Sequence, residues 1–145
     1  MKTTIADMKV DDLPEVIELW NATEGVGLNE SDTPERLAQY LSRNPQQSFI
    51  ARDSKTGRIV GAVLCGNDGR RGYLHHLAVA ADSRGRGIGS ELVRKCFAAL
   101  AAAGITRCNL YVYRSNNDGR EFWEKLGWAE REDLAVMQIA VNVGL

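Results

Sequence analysis

The residues best suited to chemistry lie just past the middle of the chain, where Val79 is followed by Ala80-Ala81-Asp82-Ser83-Arg84-Gly85-Arg86-Gly87-Ile88-Gly89-Ser90. Three glycines alternate with other residues where a long helical pattern begins. Glycine lets backbone approach a ligand closely, and the free N–H groups of a first helical turn form a natural anion site. Arg84 and Arg86 add positive charge, so pyrophosphate is the ligand this arrangement suggests. A P-loop is excluded, because no Lys follows the glycines. A dinucleotide fingerprint needs G-x-G-x-x-G, whereas this stretch is G-x-G-x-G. A few residues upstream stand His75 and His76, side chains that titrate near neutral pH. Neighbours on a regular strand point to opposite faces, so this pair is expected to divide between the two sides of a sheet.

These groups must be held by elements the rest of the sequence supplies. Asp11-Asp12-Leu13-Pro14 starts a helix carrying Val16, Ile17, Leu19 and Trp20, which Gly25 and Gly27 end. Thr33-Pro34-Glu35 opens a second helix with Leu37, Tyr40 and Leu41, closed by Asn44-Pro45. Phe49-Ile50-Ala51, Arg58 to Cys65 and Tyr73 to Val79 read as three strands joined by short turns, an antiparallel meander. A long helix follows, with Ile88, Leu92, Val93, Cys96, Phe97 and Leu100 in an apolar stripe and Gly104 as its cap. Asn109 to Tyr113 reads as a strand, Asp118 to Leu126 as a helix and Leu134 to Val141 as a final strand. The expected order is β-α-α-β-β-β-α-β-α-β with a mixed sheet, an α/β chain. The strand, helix, strand unit from 73 to 113 should give a parallel, right-handed pair.

Composition sets the frame. A chain of 145 residues with 44% hydrophobic and 26% charged residues suits one globular domain over residues 1–145. A net charge of -1 argues against a nucleic-acid binder, even with Arg70, Arg71, Arg84 and Arg86 present. Cys65, Cys96 and Cys108 form no C-x-x-C pair and are odd in number, which favours reduced core thiols over a disulfide framework or zinc site. No metal is expected. The N-terminus lacks the apolar core of a signal peptide, and no run is long enough to span a bilayer. A cytoplasmic location with no membrane partner follows as the expectation.

Arg84-Gly85-Arg86-Gly87-Ile88-Gly89 resembles the R/Q-x-x-G-x-G/A signature of the GNAT superfamily of N-acetyltransferases. Asn116 and Phe122-Trp123-Glu124-Lys125-Leu126-Gly127-Trp128 resemble its second signature. The resemblance covers residues 73 to 128 and implies the GNAT fold, with acetyl-CoA as co-substrate and a small-molecule or peptide amine as acceptor. It implies that pantetheine lies along Leu77-Ala78-Val79 as an added strand, where two parallel strands splay apart. The pyrophosphate would meet the N–H groups of Arg84, Gly85, Arg86, Gly87, Ile88, Gly89 and Ser90, while Asn116, Phe122, Trp123 and Lys125 would contact the rest of the coenzyme.

For catalysis the resemblance implies a backbone N–H, at Leu77 or Ala78, facing the developing oxyanion. It places catalytic groups on the face shared by Tyr73, Leu77 and Val79, which selects His75 as base, directly or through water, and leaves His76 a packed or hydrogen-bonded neighbour. Many relatives carry Tyr at the position of Trp123, where it protonates the thiolate, and an indole N–H cannot give up its proton in this range. Tyr113 or Tyr73 are candidates to take over, water could serve, and a noncatalytic acyl-CoA sensor is the alternative reading. The acceptor pocket in this fold is lined by the first two helices and their loop, here about Trp20 to Leu37. Glu24, Glu30 and Asp32 in that loop read as solvated charge rather than a site for a cationic amine. The acceptor itself and the oligomeric state, monomer or homodimer, are left open.

Overall fold

The computed structural model describes residues 1–143. The elements are β1 (Thr3–Asp7), α1 (Leu13–Asn21), α2 (Pro34–Arg43), β2 (Phe49–Asp53), β3 (Ile59–Asn67), β4 (Gly72–Val79), α3 (Ile88–Ala102), β5 (Cys108–Leu110) and α4 (Asn117–Lys125). They fall into two compact units, Met1–Tyr113 and a second beginning at Arg114. No helix among the described residues is long and apolar enough to cross a membrane.

The first unit is a five-stranded sheet in the order β1-β2-β3-β4-β5. Strands β1 to β4 pair antiparallel and β5 joins β4 in parallel. The meander and the parallel crossover are therefore as the sequence predicts. Helix α3, the crossover, covers one face. A side chain on Gly61 would meet Ile88 and Leu92, and one on Gly72 would meet Leu100, so β3 and β4 can approach α3 closely only with glycine there. Helices α1 and α2 cover the other face. Their core joins Leu13, Val16, Trp20 and Leu37 to Ile50, Ile59, Ala62, Leu64 and Ala78 of the sheet. Burying side chains of this size stabilises by roughly 1.5–3 kcal/mol each, which makes this face the anchor of both helices.

Local signals explain most boundaries. Thr33 caps α2, its hydroxyl accepting from the Arg36 N–H at 3.2 Å, with Pro34 in the first turn. Asp12 precedes α1 but does not cap it. Its carboxylate accepts instead from the Lys9 N–H at 2.8 Å and the Arg52 guanidinium at 2.6 Å, tying the helix start to β2. Cys65 and Cys96 are fully buried, and the hydrogen bond with Cys65, followed by burial, pushes the Cys96 thiol far up, so both behave as core residues. Cys108, half-buried on β5, is pushed up to about 12, chiefly by burial.

The second unit holds α4. Asn116 caps it, Oδ1 accepting from the Gly119 N–H at 2.9 Å. Trp123 contacts Phe122 and Trp128 edge-on, at centroid separations of 5.0 and 5.3 Å. Arg114 and Arg120 both pair with Glu130. The expected final strand from Leu134 to Val141 is not formed. Leu134, Val136, Met137 and Ile139 are exposed, and the chain runs without regular structure until a short 3-10 turn at Val141–Val143. A strand exists only through its ladder, and the second unit offers no other strand among the described residues.

Candidate active site

The glycine-spaced turn links β4 to α3. A 3-10 turn, Ala81–Ser83, leads to Gly85 at φ +76° and Gly87 at φ +78°. Gly87 is the N-cap of α3, and no side chain caps this end. A Cβ on either glycine would touch nothing within 4 Å, so glycine is required here by backbone conformation rather than by space. The first intrahelical hydrogen bond runs from the Glu91 N–H to the Gly87 carbonyl, which leaves the N–H groups of Ile88, Gly89 and Ser90 without helical partners. Arg84 folds back, its Nε donating to the Val79 carbonyl at 3.1 Å, and thereby ties the turn to the end of β4. Arg86 is exposed. The turn thus presents three N–H groups without helical partners at the positive end of the α3 dipole, with Arg84 and Arg86 in the same stretch.

Beside the turn, the ladder between β4 and β5 is short. It runs from Gly72–Cys108 through Tyr73–Asn109 to Leu74–Leu110 and then stops. From His75 to Val79, β4 has no partner strand on that side among the described residues. Tyr111 to Tyr113, which the sequence assigns to the strand, continue outside any ladder. Leu77, Ala78 and Val79 thus lie along an open edge that an extended ligand can complete.

Strand β4 is also bulged. Leu64 lies opposite His75 and Ala62 opposite Ala78, so one residue on β3 faces two, His76 and Leu77, on β4. His76 takes the left-handed conformation, φ +56°, uncommon for a residue with a side chain. The expected division of the two histidines between opposite faces therefore fails. The His75 ring lies 6.3 Å from Tyr40 of α2, and the His76 ring 5.0 Å from Trp20 of α1, so both lie on the side of α1 and α2. Their own centroids are 6.1 Å apart. The bulge also separates residues the alternation placed together. Tyr73 stacks on His75, whereas Val79 pairs with Gly61 on the α3 face.

The two histidines have different surroundings. His76 Nε2 is 2.9 Å from Asp32 Oδ1, and the Asp32 carboxylate also accepts from the Asn29 N–H at 3.1 Å. Asp32 is thus no solvated loop charge but a mostly buried clasp holding the α1–α2 loop to the bulge. Glu24 and Glu30 are exposed, as expected. His75 touches the rings of Tyr40, Tyr73, Tyr111 and His76, and makes no hydrogen bond among the described residues. Burial first, and then neighbouring His76, hold its pKa below the ordinary histidine value, with Asp32 opposing them. His75 is therefore a neutral imidazole at neutral pH.

Tyr113, the candidate acid, is exposed, and its hydroxyl lies against Gly27 in the α1–α2 loop. Asn116, Phe122, Trp123 and Lys125 belong to the second unit. There Asn116 serves α4 as its cap, and exposed Lys125 pairs with Glu121 at 3.2 Å. The sequence did not disclose Tyr40 or Asp32 as neighbours of the histidines, because the contacts span about 35 and 44 residues and depend on how the helices dock.

Unpartnered N–H groups at a helix mouth, an open parallel edge and a neutral histidine on one sheet define the framework of a group-transfer domain. The profile of the acetyltransferase (GNAT) family matches residues 13–128, and the chain belongs to that family as an N-acetyltransferase. It is 31% identical over 128 residues to an acetyltransferase of Sodalis glossinidius, an alignment covering 88% of this chain and 87% of that one. Among solved structures, Ard1 of Thermoplasma volcanium superposes with a TM-score of 0.77 at 17% identity, over 89% of this chain and 84% of that one. The PaiA N-acetyltransferase of Thermoplasma acidophilum, solved in complex with coenzyme A, gives 0.74 at 22% identity, over 88% and 89%. At these identities the two structures attest the fold.

Proposed function

We propose that the protein transfers an acetyl group from acetyl-CoA directly to a primary amine, with both substrates bound at once. The observation that carries this reading is the conjunction of the uncapped α3 N-terminus with the open edge of β4. In PaiA, coenzyme A binds a protein of the same fold. Here the N–H groups from Arg84 to Ser90 would hold the diphosphate, and Leu77, Ala78 and Val79 would pair with the pantetheine amides. The second signature assigns Asn116, Phe122, Trp123 and Lys125 to the same coenzyme by resemblance.

Transfer forms a bond between the amine nitrogen and the acetyl carbon, breaks the bond from that carbon to sulfur, and moves one proton from nitrogen to a base. The neutral His75 accepts that proton, directly or through a water. The Leu77 N–H faces the carbonyl oxygen as charge develops on it, a contribution of about 3 kcal/mol for a well-aimed donor. The departing thiolate takes its proton from Tyr113 or from water. A thiol with a pKa near that of free cysteine, about 8.5, leaves without a strong acid. Trp123 cannot serve as the acid, because an indole N–H does not give up its proton in this range.

The test is thiol release with acetyl-CoA and a broad amine panel. Turnover with at least one primary amine is expected, together with a His75→Gln variant that loses the acidic limb of the pH–rate profile. Tight acetyl-CoA binding with no acceptor turned over would overturn the reading in favour of a sensor, and an unchanged profile in the variant would remove His75 as base.

A further inference from the structure

A recess of about 200 Å³ opens beside α2, lined by Ser31, Arg36, Leu37, Gln39, Tyr40, Arg43 and Leu64. Arg36, Gln39, Tyr40 and Arg43 recur at helical spacing, so they form one stripe along α2, about 10 Å long at 1.5 Å per residue. Neither guanidinium has a carboxylate partner or a side-chain hydrogen bond among the described residues, and both residues are exposed. Arg36 lies in the first turn of its helix, where the helix dipole disfavours a cation and favours an anion. Arg36 at that end and Arg43 in the last turn, beside a concave surface with Gln39 and Ser31 as further hydrogen-bonding groups, make a receptor for an anion.

The recess also has a direction. Two of its lining residues, Tyr40 and Leu64, are also neighbours of the proposed base. Leu64 lies opposite His75 across the β3–β4 ladder, and the Tyr40 ring meets the His75 ring edge-on at 6.3 Å. Tyr40 is pinned, because its hydroxyl fills the space that a side chain at Gly66 would need, and burial pushes its phenol up, so it stays protonated. A ligand whose charged end rests on Arg36 and Arg43 would thus extend past Tyr40 toward His75. No carboxylate is among the residues that line the recess. Asp32 is engaged with His76, and Glu24 and Glu30 do not line the recess.

We infer that the acceptor is a small amine that also carries an acidic group, a carboxylate or a phosphate, held by Arg36 and Arg43 while its amino group faces His75. This rests on the acetyl-transfer reading above, and it names the substrate class that reading leaves open.

The experiment uses the full-length protein with acetyl-CoA and matched acceptor pairs. The carboxylate arm compares amino acids with their amides, and the phosphate arm compares a phosphorylated amino sugar with its unphosphorylated form. The acid-bearing member of at least one arm should be preferred at least tenfold in kcat/KM, mostly through KM. Arg36→Gln and Arg43→Gln should each reduce that preference about tenfold, and Arg36→Glu should move it toward polyamines. Both arginines are exposed, and a thermal melt of each variant confirms folding. Polyamines or other acid-free amines as the best acceptors of the parent protein, or a preference unchanged in the arginine variants, would overturn the inference while leaving acetyl transfer intact. Failure to bind acetyl-CoA in a separate titration would instead strike the parent reading, and the substrate class would fall with it.

Discussion

The turn before α3 and the bulge in β4 lie on one continuous stretch of chain, yet they are built by different physics. The turn is set locally. Gly85 and Gly87 hold left-handed conformations that nothing packs against, and the helix that follows supplies the unpaired N–H groups. The bulge is set from a distance. His76 holds a left-handed conformation despite its side chain, fastened by Asp32 and Trp20 from the opposite layer. The proposed anion site is thus written into seven consecutive residues, whereas the proposed base and its surroundings depend on five separate segments meeting at one place.

The largest expected effect breaks the distant side of this comparison. Trp20 is fully buried and its ring edge supports His76, so Trp20→Ala should cost about 3–5 kcal/mol in urea unfolding. Next comes the local side. Gly87→Ala forces a side chain into the left-handed region at a cost of about 1–2 kcal/mol. Gly57→Ala, at φ +77° and equally unencumbered, should cost the same. Only the first should weaken coenzyme A binding, by tenfold or more in calorimetry. If the two glycine variants lose affinity equally, the turn acts through stability and not as a cradle.

Asp32→Asn tests the clasp. It keeps the size of the side chain and removes the charge that strengthens the His76 bond, so a loss of about 1 kcal/mol is expected from equilibrium unfolding. The smallest effect concerns His75. Its pKa in the folded protein lies below its unfolded value of about 6.5, so its contribution to stability is complete above that value. That contribution is lost as pH falls through the unfolded value toward the folded one. Urea midpoints between pH 7.5 and 5 should therefore fall less steeply in His75→Gln than in the parent.

The same division explains what the sequence disclosed. The antiparallel meander, the parallel crossover and helices α2, α3 and α4 follow from patterns a few residues long, such as Thr33-Pro34, Asn44-Pro45 and the stripe from Ile88 to Leu100. Facing of the histidines was not legible, because alternation presumes a regular strand and the extra residue in β4 has no local signal. Asp32 read as one more loop acid, although its partner lies 44 residues away. The segment from Leu134 to Val141 is a nearly continuous apolar run with three β-branched residues, but such a run alone cannot supply a ladder. Arg36 and Arg43 were invisible as a pair until helix α2 and its recess placed them on one stripe.

Titration of coenzyme A into the purified full-length protein, with Gly57→Ala and Gly87→Ala in parallel, bears most directly on the central assignment. The account predicts saturable binding near one per chain, equal in the parent and Gly57→Ala and at least tenfold weaker in Gly87→Ala. No binding by the folded parent, or equal affinity in all three proteins, would contradict it.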